Sequence, residues 1–133
     1  MIRGLVEAGK TVQGSRVLVM GLTFKEDIRD TRNSKIQDTI KKLQSYGVQM
    51  LGHDPNLYED EVKKFGVEWV SDLATTGKVD GIILASLHKQ FKNLVLSDFV
   101  QKYNGNGKGV LVDVKSWFLG AANMQEALIY KCL

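Results

Sequence analysis

The chain has 133 residues, 44% of them hydrophobic and 25% charged, with a formal net charge of +3 and a pI near 9.0. That length holds one domain with a full core and excludes two. The mild basicity permits an anionic ligand, but no uninterrupted Lys/Arg run appears, which excludes a nucleic-acid footprint. No apolar run reaches the ~20 residues a membrane span requires, and no signal-peptide pattern opens the chain. The single cysteine, Cys132, has no disulfide partner and reads as a bystander thiol. A soluble, cytoplasmic protein is expected.

In chain order, Ile2 to Ala8 reads as a short helix ending at Gly9, followed by a linker from Lys10 to Ser15. Residues 1–14 have few apolar partners of their own and are expected to be the tail of a preceding helical domain. The domain proper is expected to run from Ser15 to Leu133. Arg16 to Met20 is the continuous apolar interior of a strand covered on both faces. Past a loop, Asn33 or Ser34 is expected to cap a helix whose apolar face is Ile36, Ile40 and Leu43, with Gly47 in the C′ position.

Val48 to Gly52 is the second strand, closed by His53-Asp54-Pro55. Tyr58, Val62 and Phe65 mark a short helix stopped by Gly66. Val67 to Val70 alternates as a brief strand, and Ser71 is expected to cap a helical turn ending at Gly77. Gly81 to Ala85 is again a continuous apolar strand. Ser97 and Asp98 begin a helix through Tyr103, and the glycine-rich turn from Asn104 to Gly109 leads to a strand from Val110 to Val114. The tail from Ala127 to Leu133 reads as a last edge strand. Strands alternating with helices at these intervals predict βαβ units: an α/β fold, a three-layer Rossmann-like sandwich with a mainly parallel sheet.

In such a sheet ligands bind beyond the carboxyl ends of the strands. Three loops leave those ends: Gly21–Asn33, Ala85–Phe91 and Asp113–Gly120. In the first, Lys25, Arg29 and Arg32 face Glu26, Asp27 and Asp30. Its charges nearly cancel, so its use lies in individually placed cations: a lysine as a point charge, an arginine as a phosphate fork. Taken by themselves, the same residues also describe a solvated loop with local salt bridges.

The dinucleotide fingerprint G-x-G-x-x-G is absent, and Phe24 would keep a pyrophosphate from the backbone. Asp54 follows Gly21 by 33 positions rather than about 20, and Pro55 follows it, so Asp54 reads as a turn former rather than a ribose acid. A self-sufficient NAD site is therefore not expected. His53 and His88 lack the spacing of a metal pair, and no nucleophile elbow appears, so neither metal-ligating nor catalytic residues are expected. Asp113 and Lys115 close a strand, where one side chain could face the crevice or the two could form a strand-end ion pair.

Four separated features define a resemblance that runs from about Gly9 to the C-terminus. They are Gly21-Leu22-Thr23-Phe24-Lys25 with Asp30-x-Arg32-x-Ser34, then His53-Asp54-Pro55, His88-Lys89-Gln90-Phe91, and Asp113-Val114-Lys115. Together they resemble the C-terminal, UDP-binding domain of the UDP-glucose/GDP-mannose dehydrogenase family, most closely UDP-N-acetylhexosamine 6-dehydrogenases. UDP-glucose and UDP-N-acetylmannosamine stay open as substrates.

The resemblance implies an N-terminal Rossmann domain and a central helical domain elsewhere in the polypeptide, and a homo-oligomeric enzyme. It implies oxidation of the sugar C6 alcohol to a carboxylate for polysaccharide biosynthesis, with two NAD consumed through cysteine-linked intermediates. Cys132 does not match that nucleophile, so this chain alone is expected to be inactive. By the resemblance, Phe24, Lys25 and Lys115 bind the UDP-sugar, and Arg32 reaches NAD held mainly by the N-terminal domain. A free-standing nucleotide-binding regulatory module and a ligand-free interaction domain are the alternatives.

Overall fold

Short runs rich in Val, Ile and Leu, each ending in a turn, build the centre of the molecule. The computed structural model describes residues 1–23, 25, 27, 31, 34–103, 108–120 and 128–132. Six strands form one sheet: β1 (Arg16–Met20), β2 (Gln49–His53), β3 (Glu68–Trp69), β4 (Gly81–Leu84), β5 (Gly109–Asp113) and β6 (Leu128–Cys132). Their order is β3-β2-β1-β4-β5-β6 and every pairing is parallel. This is the doubly wound order, in which the chain reverses direction across the sheet between β1 and β4. The parallel α/β expectation holds, as does the edge strand expected in the tail.

Successive strand residues face opposite layers, and β1 shows the rule directly. Val17 and Val19 pack with Leu5, Ile40, Leu43, Val62 and Phe65. These come from α1 (Ile2–Glu7), α2 (Ile36–Ser45), α3 (Glu59–Lys63) and the turn after it. Leu18 and Met20 pack on the other face with Leu96, Phe99, Tyr103 and Phe118, two of them on α4 (Leu96–Val100). Helix α1 is not a loose tail: Leu5 is completely buried, and its Gly4 lies against Val110. At the amino ends, Asp80 accepts from the Arg16 amide at 2.9 Å and pairs with Lys10 at 3.2 Å, tying β1 to the approach of β4.

Helix ends obey local chemistry with some differences from expectation. Gly47 takes φ +82° after α2. The Gly47 and Val48 amides bond back to Gln44 and Leu43, a Schellman closure. Ser34, however, does not cap α2: its hydroxyl donates to the Leu22 carbonyl at 3.0 Å, serving the loop instead. Asp72 rather than Ser71 caps the turn Leu73–Thr75, accepting from the Ala74 amide. Tyr58 precedes α3 and is exposed, so only Val62 and Phe65 carry the apolar face expected there. Residues 104–107 of the glycine-rich turn lie outside the described residues. Among the described residues no helix is long and apolar enough to cross a membrane.

Gly109 opens β5 where a side chain has no room. A Cβ there would stand 2.0 Å from the Tyr103 ring, and that ring is pinned by its hydroxyl donating to the Val110 carbonyl at 2.8 Å. Gly109→Ala should therefore lower unfolding free energy by about 1–3 kcal/mol, the usual cost of overpacking. Gly120 meets nothing within 4 Å, and Gly120→Ala should stay within about 0.5 kcal/mol. Urea denaturation of the two variants tests the contrast.

Candidate functional site

The carboxyl ends of β1, β2 and β4 meet at the switch point, and their loops are joined by buried polar groups. Gly21 makes the first junction possible. It has φ +87° and lies so close to the next loop that a Cβ would come within 2.4 Å of the Ser86 carbonyl oxygen. Only glycine fits. Its amide donates to the His53 carbonyl at 2.9 Å, and the Ser86 hydroxyl donates to the Thr23 carbonyl at 2.7 Å.

Asp54 is the centre of the cluster. Its Oδ1 accepts from the Asn56 amide at 2.9 Å, the turn-forming contact expected of an Asp-Pro pair. Its Oδ2 reaches further: it accepts from the Leu22 amide at 2.8 Å and from His88 Nε2 at 2.9 Å. Both side chains are wholly buried. Burial works to raise the Asp54 carboxyl, but the bond from His88 and those from the Leu22 and Asn56 amides outweigh it. The group is held below the ordinary carboxylate range.

The other nitrogen of His88 faces the first loop. Nδ1 lies 2.8 Å from the Asp27 amide. An amide can only donate, so Nδ1 accepts, and the proton sits on Nε2, where Asp54 takes it. Nε2 also stands 3.3 Å from Thr23 Oγ1, whose own proton goes to the Lys25 carbonyl at 2.7 Å. Asp27 holds φ +60°, a backbone state that costs a non-glycine residue roughly 1 kcal/mol or more. Its carboxylate accepts from the Lys89 amide at 2.6 Å, which closes the two loops on each other.

These contacts decide what the edge can hold. In a dinucleotide-binding fold, the loop amides after β1 are open to a pyrophosphate. Here the Leu22 amide is taken by an internal carboxylate and the Asp27 amide by an imidazole. The described residues at this strand end do not fit the pyrophosphate of NAD.

Lys25 is exposed on the β1 loop and Lys115 on the turn after β5. β4 separates their parent strands, which puts β1 and β5 about 10 Å apart by the usual strand spacing. Phe24 and Arg32, the other two residues singled out from sequence, lie outside the described residues. Asp113 forms no ion pair with Lys115. It is fully buried and accepts from the Phe118 amide at 2.8 Å and the Tyr130 hydroxyl at 2.7 Å, so it shapes the loop from within. Burial, with the bond to Asp113, raises the Tyr130 phenol well above its ordinary value. His53 is occupied too, its Nδ1 standing 2.8 Å from the Val70 carbonyl.

Sequence reasoning missed the Asp54–His88 pair. Its only signal was a polar residue in each of the two loops that leave β2 and β4, Asp54 directly after β2 and His88 four residues after β4.

Fold and edge together define a Rossmann-like domain whose described residues form no dinucleotide cradle at the carboxyl edge of β1. Residues 18–118 match the UDP-binding domain of the UDP-glucose/GDP-mannose dehydrogenase family, and the chain belongs to that family. It is 37% identical over 116 residues to a UDP-N-acetyl-D-glucosamine 6-dehydrogenase of Pseudomonas aeruginosa, covering 86% of this chain but 27% of that protein. The UDP-N-acetyl-mannosamine dehydrogenase Cap5O from Staphylococcus aureus matches in structure with a TM-score of 0.66 and 25% identity, over 96% of this chain and 29% of that one. An NDP-N-acetyl-D-galactosaminuronic acid dehydrogenase from Methanosarcina mazei shares the fold at a TM-score of 0.73, with 24% identity, over 98% of this chain and 27% of that one. The chain thus spans little more than a quarter of the relatives it matches.

The depressed Asp54 carboxyl makes a pH prediction. Its native value lies below the unfolded one of about 3.9. The stability it contributes is complete above that value and is lost as pH falls through the native one. Asp54→Asn presents an N–H to a buried donor and should cost about 1–3 kcal/mol at pH 7. The gap to wild type should shrink on acidification to pH 3. Urea midpoints at the two pH values test this, and a gap that does not narrow counts against it.

Proposed function

We propose that this chain is the UDP-sugar-binding domain of an NAD-dependent UDP-N-acetylhexosamine 6-dehydrogenase. The observation that carries the reading is the family match across residues 18–118, together with the 37% identity to a UDP-N-acetyl-D-glucosamine 6-dehydrogenase. The geometry supports a binding role. Lys25 and Lys115 stand exposed on loops either side of β4 at the carboxyl edge, where a diphosphate can be met by point charges rather than by backbone amides. Phe24 supplies a ring against which the nucleotide packs, and Arg32 extends to NAD held by another domain of the same polypeptide. Residues 1–14 close that preceding part while their helix packs on the domain formed by residues 15–133.

Oxidation of the sugar C6 alcohol to a carboxylate would then take place between domains. This chain binds and orients the UDP end of the substrate and transfers no hydride. The intact enzyme is a cytoplasmic oligomer that supplies uronic-acid sugars for polysaccharide assembly.

Calorimetric titration of the chain with UDP, UDP-N-acetylglucosamine and NAD tests the reading. Binding of the first two without the third is expected, with no NADH formed when all are mixed. In the full-length enzyme, Lys25→Ala should raise KM for the UDP-sugar by about 10- to 150-fold with little change for NAD, as for a lost bond to a charged group. Arg32→Ala should do the reverse. Equal shifts in both constants would count against this division of labour.

A further inference from the structure

We propose that His88 is the positioning residue for Lys25, acting through its Nδ1 from beneath the loop. The inference rests on the nucleotide-binding reading above and adds a residue to it. Two contacts next to Lys25 lead to this imidazole. At Lys25 itself, Thr23 Oγ1 donates to the carbonyl and stands 3.3 Å from His88 Nε2. On its carboxyl side, the Asp27 amide donates to His88 Nδ1.

The ring is oriented for this task. Nε2–H donates to Asp54 Oδ2, which leaves Nδ1 to accept, and Phe91 packs 5.9 Å away, centroid to centroid. Asp54 is itself fixed by the Leu22 and Asn56 amides. Through Nδ1, a rigid core group therefore reaches the backbone two residues beyond an exposed lysine. Asp27 completes the arrangement: its left-handed backbone is held by the Nδ1 bond and by its own carboxylate on the Lys89 amide. A histidine serving only the core would have needed the Asp54 bond alone.

Two substitutions separate the ring's two functions. His88→Asn places a carbonyl oxygen near the Nδ1 position and gives up the Nε2 donor. His88→Gln places an amide nitrogen near Nε2 and gives up the acceptor for Asp27. The test uses the full chain and begins on the unmodified protein. Long-range proton–nitrogen spectra should show the Nε2–H tautomer and a scalar coupling across the hydrogen bond from the Asp27 nitrogen to Nδ1. An Nδ1–H tautomer overturns the proposal without any variant having to fold.

Hydrogen exchange and UDP titration of the variants follow. His88→Gln should speed exchange of the Asp27 amide at least tenfold and weaken UDP binding about tenfold relative to His88→Asn, which should keep both near wild type. Equal losses in the two variants, tracking their thermal stability, would reduce His88 to a core buttress and overturn the proposal. Greater loss in His88→Asn than in His88→Gln would do the same. If the wild-type chain binds no UDP yet the exchange contrast and tautomer hold, the loop-positioning role stands and the nucleotide reading falls.

Discussion

The Asp54 carboxylate is the constraint on which the ligand edge depends. It sits at the end of β2, out of water, and accepts three hydrogen bonds: two from backbone amides in different loops and one from an imidazole. A buried carboxylate with fewer partners would be costly, because burial disfavours its charge. Met in full, the requirement becomes a geometric lock. The Leu22 amide, the Asn56 turn and the His88 ring must all stand where the two oxygens can reach them. Three loops that leave separate strands are thereby brought into one arrangement.

That lock explains how a Rossmann-like sheet gives up the usual task of its first loop. In dinucleotide binders the glycines after β1 leave amides open for phosphate. This chain keeps one such glycine, Gly21, but uses it to press the β1 loop against Ser86. The amide that follows is satisfied internally by a carboxylate, so the protein's own anion takes a position that elsewhere belongs to a ligand's. Lys25 and Lys115 are exposed on the outer surface of the loops. The sheet order survives while the Leu22 and Asp27 amides at this edge turn to internal partners.

Much of the fold was legible because each local signal agreed with its neighbours. Val17 to Met20 and Gly81 to Leu84 are apolar at every position, as strands covered on both faces must be. Gly47 ends a helix because a left-handed residue is needed to turn the last carbonyls back. Capping was less legible. Ser34 has the right chemistry for an N-cap but meets the Leu22 carbonyl instead, and Asp72 competes successfully with Ser71 for the amide of Ala74. Such choices depend on which partner lies nearest in space. The edge showed the same limit: Asp54 was readable as a turn former through one oxygen and unreadable through the other.

The sequence by itself determined the alternation of strand and helix, the parallel sheet, the absence of a dinucleotide fingerprint and the family resemblance, since each is written in residues that are neighbours or periodic along the chain. Only the tertiary structure decided that Asp54 and His88, 34 positions apart, form one buried pair. It also decided that Asp113 faces inward to Phe118 and Tyr130 rather than outward to Lys115. Hydrogen bonds between loops carry no periodicity and no fixed spacing. They form wherever the sheet order brings strand ends side by side and burial leaves a polar group no water to turn to.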